Sequence, residues 1–186
     1  MSKEEQTDMF KFLSPFSASM QDIVRWLCKF VWDLHPQANE LIFDNNDSII
    51  FYWSPTEKVK HSFCSVTIGK TSNNIRFGFY KGDELADPEK MLTGDHPYRY
   101  IAVQSIKDFP QVYITQLLQE AWFNSLKRVT DYKQIIQGKT ITKSVSAGSR
   151  DKGTINKWIN PNLGNILFLS LSTIPLQLPS AEVLFV

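Results

Sequence analysis

The sequence predicts an α+β domain: an antiparallel sheet of about four to five strands, two helices packed on one of its faces, and a short helical turn in the last strand connection. Three observations carry this expectation. Apolar residues recur at helical spacing over residues 20–34. They do so again over residues 110–129. Between these stretches the hydrophobic period falls to two, the spacing of strands with one face inward.

In chain order, residues 1–17 read as an N-terminal arm, polar over its first 13 residues. Ser17 or Ser19 is placed to cap a helix from about Met20 to Leu34, because a hydroxyl oxygen satisfies a free N–H of the first turn. Met20, Ile23, Val24, Leu27, Val31 and Leu34 make its apolar stripe. His35-Pro36 ends it, since the residue before a proline avoids helical dihedrals. Trp26, Phe30 and Trp32 lie off the stripe and need a second layer or a partner.

Ser48–Trp53 is apolar on both faces, as in a strand well inside a sheet. His61–Lys70 alternates, with Cys64, Val66 and Ile68 on one side and Phe63, Ser65 and Thr67 on the other. Thr71-Ser72-Asn73-Asn74 is a turn, and Ile75–Tyr80 completes an antiparallel hairpin. A fourth strand, about Tyr98–Gln104, sets Ile101 and Val103 against Tyr98, Tyr100 and Ala102. Asp108 is a candidate cap for the last helix, with Pro110 in its first turn, where a missing N–H costs nothing. Ile114, Leu117, Leu118, Ala121 and Trp122 give that helix its apolar face.

The domain is expected to span residues 18–130, followed over 131–186 by a flexible basic linker and an apolar tail. Residues 1–130 hold 14 Lys and Arg against 16 Asp and Glu, while residues 131–186 hold 6 against 3. A domain so near neutrality has no electrostatic footprint for nucleic acid. Residues 158–181 carry no charge, but Pro161, Pro175 and Pro179 interrupt them, so a membrane span is not expected. The acidic start MSKEEQTDMF lacks the basic and apolar regions of a signal peptide. Cys28 and Cys64 show no CxxC spacing and read as buried thiols, consistent with a reduced, cytoplasmic setting.

The connection 79–103 is dense in charge. Asp87-Pro88-Glu89 reads as the start of a one-turn helix with Asp87 as its cap. Thr93-Gly94-Asp95 is a turn whose glycine takes positive φ. Arg99 falls on the side of Ile101 and Val103, facing the helices. Burying a guanidinium there without a partner is costly, so Asp83, Asp87 or Asp95 is expected to pair with it. The rival reading places Arg99 at the rim beside Lys81 and Gly94, holding an anion through its planar fork and free backbone N–H groups. His35, His61 and His96 fall in no HxxxH or HExxH pattern. His61 and Cys64, three apart on an expected strand, point to opposite faces and form no easy dyad. No GxSxG or phosphate loop occurs.

The run 76-RFGFYKGDELADPEKMLTGDHPYRYIAVQSIKDF-109 resembles the signature of YdhG-like domains of unknown function: a strand, Gly-x-x-Leu-x-Asp-Pro, a Leu-x-Gly turn, an Arg-bearing strand and a final helix. Gly82, Leu85, Asp87, Pro88, Leu92, Gly94 and Arg99 occupy those places. The likeness covers about residues 18–128. It departs after the turn glycine, where Asp95-His96-Pro97 replaces the family's frequent Gly-Lys. The resemblance implies a bacterial, cytoplasmic α+β domain in a frataxin-like neighbourhood, in which some members are regarded as intracellular iron chaperones. The sparse acids of helix one, Asp22 and Asp33 alone, speak against iron here.

From the residues, the first expectation is a small binding or adaptor domain without catalysis of its own and without a cofactor. Arg76, Tyr80, Tyr98 and Tyr100, with Phe63, present an amphipathic sheet face to a small ligand or a protein. Lys81, Gly94 and Arg99 are the further ligand-binding candidates. A homodimer formed over that face, or the apolar tail folded onto it, is an alternative cover for it. Iron delivery, which the resemblance implies and for which no ligand set is assigned, is the second function, and an enzyme acting on a small phosphorylated or carboxylate substrate near Gly94 and Arg99 is the third.

Overall fold

The computed structural model describes residue 9 and residues 11–135, 138–144 and 157–159. The chain runs through helix α1 (Ala18–Leu34), strands β1 (Asn39–Asp44), β2 (Ser48–Ser54), β3 (Cys64–Gly69), β4 (Ile75–Phe79) and β5 (Arg99–Ala102), helix α2 (Gln111–Lys127), and strands β6 (Lys139–Ser144) and β7 (Lys157–Ile159). The sheet has seven strands in the order β5-β4-β3-β2-β1-β6-β7. Each of β1 to β5 pairs antiparallel with the next. α2 then returns the chain to the far side of β1, where β6 runs parallel to it.

Each element has a local cause. Ser17 caps α1, its Oγ accepting from the Met20 N–H at 3.4 Å, and the helix closes at His35, whose N–H reaches the Val31 carbonyl. Strand alternation puts Ile49, Phe51 and Trp53 of β2, Cys64, Val66 and Ile68 of β3, and Ile75 and Phe77 of β4 on one buried side. Both helices cover that side. Phe30 of α1 meets Phe77 edge-on at 6.4 Å, and Trp122 of α2 packs on Phe63 at 5.2 Å and on His35 at the end of α1. The other side of the sheet carries no helix among the described residues.

Five sequence expectations are corrected or extended. The mixed sheet replaces the all-antiparallel sheet of four to five strands, because β1, β6 and β7 were not anticipated. β6 lies in the stretch read as a basic linker. The Asn39 side chain fastens it to β1, donating to the Ser54 carbonyl at 3.2 Å while accepting from the Lys139 N–H at 3.1 Å. Leu13 of the expected arm is fully buried, with Met9 and Phe16 beside it in the core. Asp108 closes a turn with Ser105 and caps nothing; Pro110 is the N-cap of α2. Phe63, expected on the outer face, precedes β3 and escapes its alternation, lying fully buried against His35 and Trp122.

The second layer needed by Trp26 and Phe30 is supplied largely from just before α2: Phe109 sits 5.3 Å from Trp26 and 5.5 Å from Phe30, both edge-on. The short helical turn in the last strand connection falls at Gly82–Glu84 and not at Asp87-Pro88-Glu89, where Asp87 caps no helix and its carboxylate holds a turn by accepting from the Met91 and Leu92 N–H groups. No described helix is long and apolar enough to cross a membrane. The charge-free stretch 160–181 lies outside the described residues, as does most of the linker reading.

Candidate functional site on the helix-free sheet face

The open side of the sheet carries an aromatic row that crosses five strands. Phe43 of β1 meets Tyr52 of β2 edge-on at 5.7 Å. Tyr52 pairs across the sheet with Ser65 of β3. Ser65 Oγ and the Tyr98 hydroxyl share a hydrogen bond of 3.1 Å. To reach Ser65 from the start of β5, the Tyr98 ring must lie across β4, and it does so over Gly78. A Cβ on Gly78 would stand 2.0 Å from the Tyr98 hydroxyl oxygen and 2.6 Å from a ring carbon. A glycine in mid-strand commonly marks such a close approach.

Beyond Tyr98 the row continues as a stack. Tyr100 lies against Tyr98 with ring centroids 5.9 Å apart and planes 28° from parallel. The Arg76 guanidinium carbon sits 4.6 Å from the Tyr100 centroid, a cation–π contact. The turn at Gly94 backs the same ring, with φ +100 and room for no Cβ: one there would lie 2.8 Å from a Tyr100 ring carbon. Main-chain bonds between Thr93 and Tyr100, both 2.8 Å, hold that turn in place. The tyrosines act on one another. Burial, then the charges of Tyr98 and Tyr80, push the Tyr52 hydroxyl above its ordinary pKa.

Of the seven residues singled out from the sequence, Arg76, Tyr98 and Tyr100 are in direct contact on this face, and Tyr80 lies close enough to influence Tyr52. Gly94 joins them as a backing element. Lys81 and Arg99 do not. Lys81 adopts φ 60 at the head of the Gly82–Glu84 turn and pairs with Glu84 at 3.4 Å. Arg99 stands opposite Phe79 on the helix side, with the sheet between it and Arg76.

The expected ion pair of Arg99 takes another form. Its Nη2 donates to the Leu92 carbonyl at 2.6 Å, its stem packs over Gly82, and its buried Nε has no partner among the described residues. The aspartates nearby are otherwise engaged. Asp83 binds His96 Nδ1 at 2.6 Å. Asp87 accepts from the Tyr113 hydroxyl at 2.5 Å and from the N–H groups of Met91 and Leu92 at 3.0 Å. Partial burial works to raise the Asp87 pKa, but the bonds from Tyr113, Leu92 and Met91, with the charge of Arg99, outweigh it and hold the group below its ordinary value.

Arg99 therefore reaches Asp87 only through space. Replacing Arg99 by Met should then cost about 1 kcal/mol, the worth of one hydrogen bond, rather than the roughly 3–5 kcal/mol lost when a buried pair is broken. Urea unfolding of the full chain reads the difference; a loss above about 3 kcal/mol would restore the ion pair.

The residues that the sequence reading passed over are Tyr52, Gly78 and Phe43. Gly78 was the available signal, an isolated glycine between Phe77 and Phe79 in a clear strand pattern. No group of three or more His, Cys, Asp or Glu side chains is placed to hold a metal ion among the described residues. Cys28 and Cys64 are both buried, and burial raises both thiols well above the ordinary value, so neither supplies a thiolate nucleophile at neutral pH.

No family model matches the chain, and no curated protein or solved structure matches it either.

Proposed function

We propose that the chain is a non-catalytic binding domain of the YdhG-like type, and that its ligand docks on the helix-free face at Arg76, Tyr98 and Tyr100. One observation carries the reading: the three side chains form a continuous stack, Tyr98 on Tyr100 on Arg76, fixed from behind by Gly78 and Gly94. A ring held on both sides loses little conformational entropy when a partner arrives, which is why rigid aromatic anchors dominate binding energetics. The guanidinium held over Tyr100 brings a planar fork of N–H donors to this face, the chemistry that suits a carboxylate or phosphate.

A fragment screen by protein NMR tests this on the full chain. Planar aromatic acids should perturb backbone resonances around residues 52, 65, 76, 98 and 100 as one cluster. The double replacement Arg76→Gln with Tyr100→Ser should weaken those hits about tenfold or more, the effect of losing a central anchor, while leaving thermal unfolding nearly unchanged. Hits that cluster elsewhere, or that survive the double replacement, would remove the assignment. Gly78→Ala gives an independent handle: the new methyl group must swing Tyr98 out, breaking its bond to Ser65 without touching the helix side of the sheet.

A further inference from the structure

The class of ligand that suits the helix-free face follows from what surrounds Arg76. The Arg76 guanidinium carbon lies 4.6 Å from the Tyr100 centroid, and the group makes no hydrogen bond or ion pair among the described residues. Arg99 and Arg128, by contrast, are bonded to the carbonyls of Leu92 and Ser62. In register, Ile50, Thr67, Arg76 and Ala102 form one row on the helix-free side. The acids of the strands, Glu40 and Asp44, have the opposite parity. They pair with Trp53 and Ile49, whose side chains belong to the helix-side core. Strands β1 to β5 thus bring one cation and no carboxylate to this face. Lys70 and Lys81, on the adjoining turns, are tied to Asp44 and Glu84. β6 is four places from β4 in the sheet, about 19 Å away.

The hydrogen-bond donors within reach are equally few. β3 and β4 are interior strands, so their main-chain N–H groups are taken by the ladder. The Ser65 and Tyr98 hydroxyls are bonded to each other at 3.1 Å. Thr67 is left. It stands directly opposite Arg76, and such partners have Cβ atoms about 4.5–5.5 Å apart. It is half-buried, and its hydroxyl makes no hydrogen bond among the described residues. One planar fork, one hydroxyl and a single positive charge therefore meet beside the Tyr100 ring.

A carboxylate matches this set. It is planar, carries one negative charge and accepts two N–H bonds of the fork side by side, with a lone pair remaining for Thr67. A phosphate monoester carries about 1.5 to 2 negative charges on tetrahedral oxygens. Such groups are commonly held by a second cation or by a ring of free main-chain N–H groups, and the strands offer neither. Setting a dianion here would leave charge uncompensated against the rings, at a desolvation cost.

We propose that the ligand of this face is an aryl monocarboxylate, its ring against Tyr98 and Tyr100 and its carboxylate shared by the Arg76 fork and the Thr67 hydroxyl. This ligand class rests on the face being the binding site, and Thr67 becomes its specificity-determining residue.

Titration of the full chain by protein NMR at neutral pH, with naphthoate, its amide and naphthyl phosphate, separates the possibilities. Naphthoate should shift resonances around residues 67, 76 and 100 and bind about tenfold or more tighter than the other two, the effect of one charge-assisted contact. Thr67→Val keeps the branched shape. It should weaken naphthoate about threefold to tenfold, with little effect on the amide, which the fork does not hold, and none on thermal unfolding. Thr67→Ser should restore the affinity. Naphthyl phosphate binding at these residues as tightly as naphthoate overturns the carboxylate class while the face stands as a site. Naphthoate binding indifferent to Thr67→Val overturns the role of Thr67. Shifts confined to other residues, or none at all, overturn the reading of the face itself and the ligand class with it.

Discussion

Replacing Phe77 by alanine should remove about 3–5 kcal/mol of stability, the largest loss expected from any single truncation in this core. Phe77 is fully buried on the helix side of β4, with Val66 and Ile101 beside it in register. Its ring meets Phe30 of α1 at 6.4 Å, Phe79 at 5.6 Å and Phe109, just ahead of α2, at 5.6 Å, all edge-on. It is the sheet's contribution to a cluster shared with the first helix and the approach to the second, so none of the three can close the void without losing its hold on the others. Domains are commonly stable by about 5–15 kcal/mol, and the variant should therefore be close to unfolding at 37 °C. Urea denaturation with tryptophan fluorescence gives the number. Phe77→Leu, which keeps most of the volume, should recover most of the loss. A fall of less than about 1 kcal/mol for the alanine variant would mean that the aromatic cluster is not the centre of the fold.

The parts of this architecture that were legible in the sequence are those specified locally. The Ser17 cap, the stop at His35-Pro36, the turn at residues 71–74 and the alternation of β3 and β4 each depend on residues within one turn or one strand of each other, and each appears where the pattern places it. β6 was not legible because its pairing with β1 is non-local. It joins positions a hundred apart through one side chain, Asn39, and through a bond from Thr140 Oγ1 to buried Glu40 at 3.3 Å. No periodicity within Lys139–Ser144 announces a parallel neighbour so far away. The candidate site divides in the same way. Alternation alone put Arg76, Tyr98 and Tyr100 on one face, whereas the reach of Tyr98 over Gly78 to Ser65 crosses two strand registers and shows only in three dimensions. Arg99 failed to find its aspartate because local backbone N–H groups and Tyr113 had already claimed the nearest one.

Acid should destabilise this protein well before its carboxylates titrate, and His35 is the reason. The imidazole is 5% exposed, packed between the rings of Phe63 and Trp122 at 5.1 and 5.2 Å, with Nε2 buried and unpartnered. Burial lowers its pKa from 6.5 to about 4. Above pH 6.5 the ring is neutral in the folded and unfolded chains alike, and its contribution is complete. Between pH 6.5 and 4 the unfolded chain takes up a proton that the folded one refuses, so stability falls as the pH falls. The full displacement corresponds to about 3 kcal/mol, of which about 2 kcal/mol is lost by pH 4.5. His61, bonded to Thr56 Oγ1 at 2.8 Å, is also lowered, by its burial and by Lys60, Lys58 and Arg128, and adds to the loss in the same direction. Asp87 acts separately, its contribution disappearing only at more acidic pH. Urea unfolding at pH 7 and at pH 4.5 should therefore differ by about 2 kcal/mol more in the natural chain than in His35→Phe, which keeps the packing and removes the proton site. Equal losses in the two proteins would show that the ring between Phe63 and Trp122 accepts its proton without leaving the core.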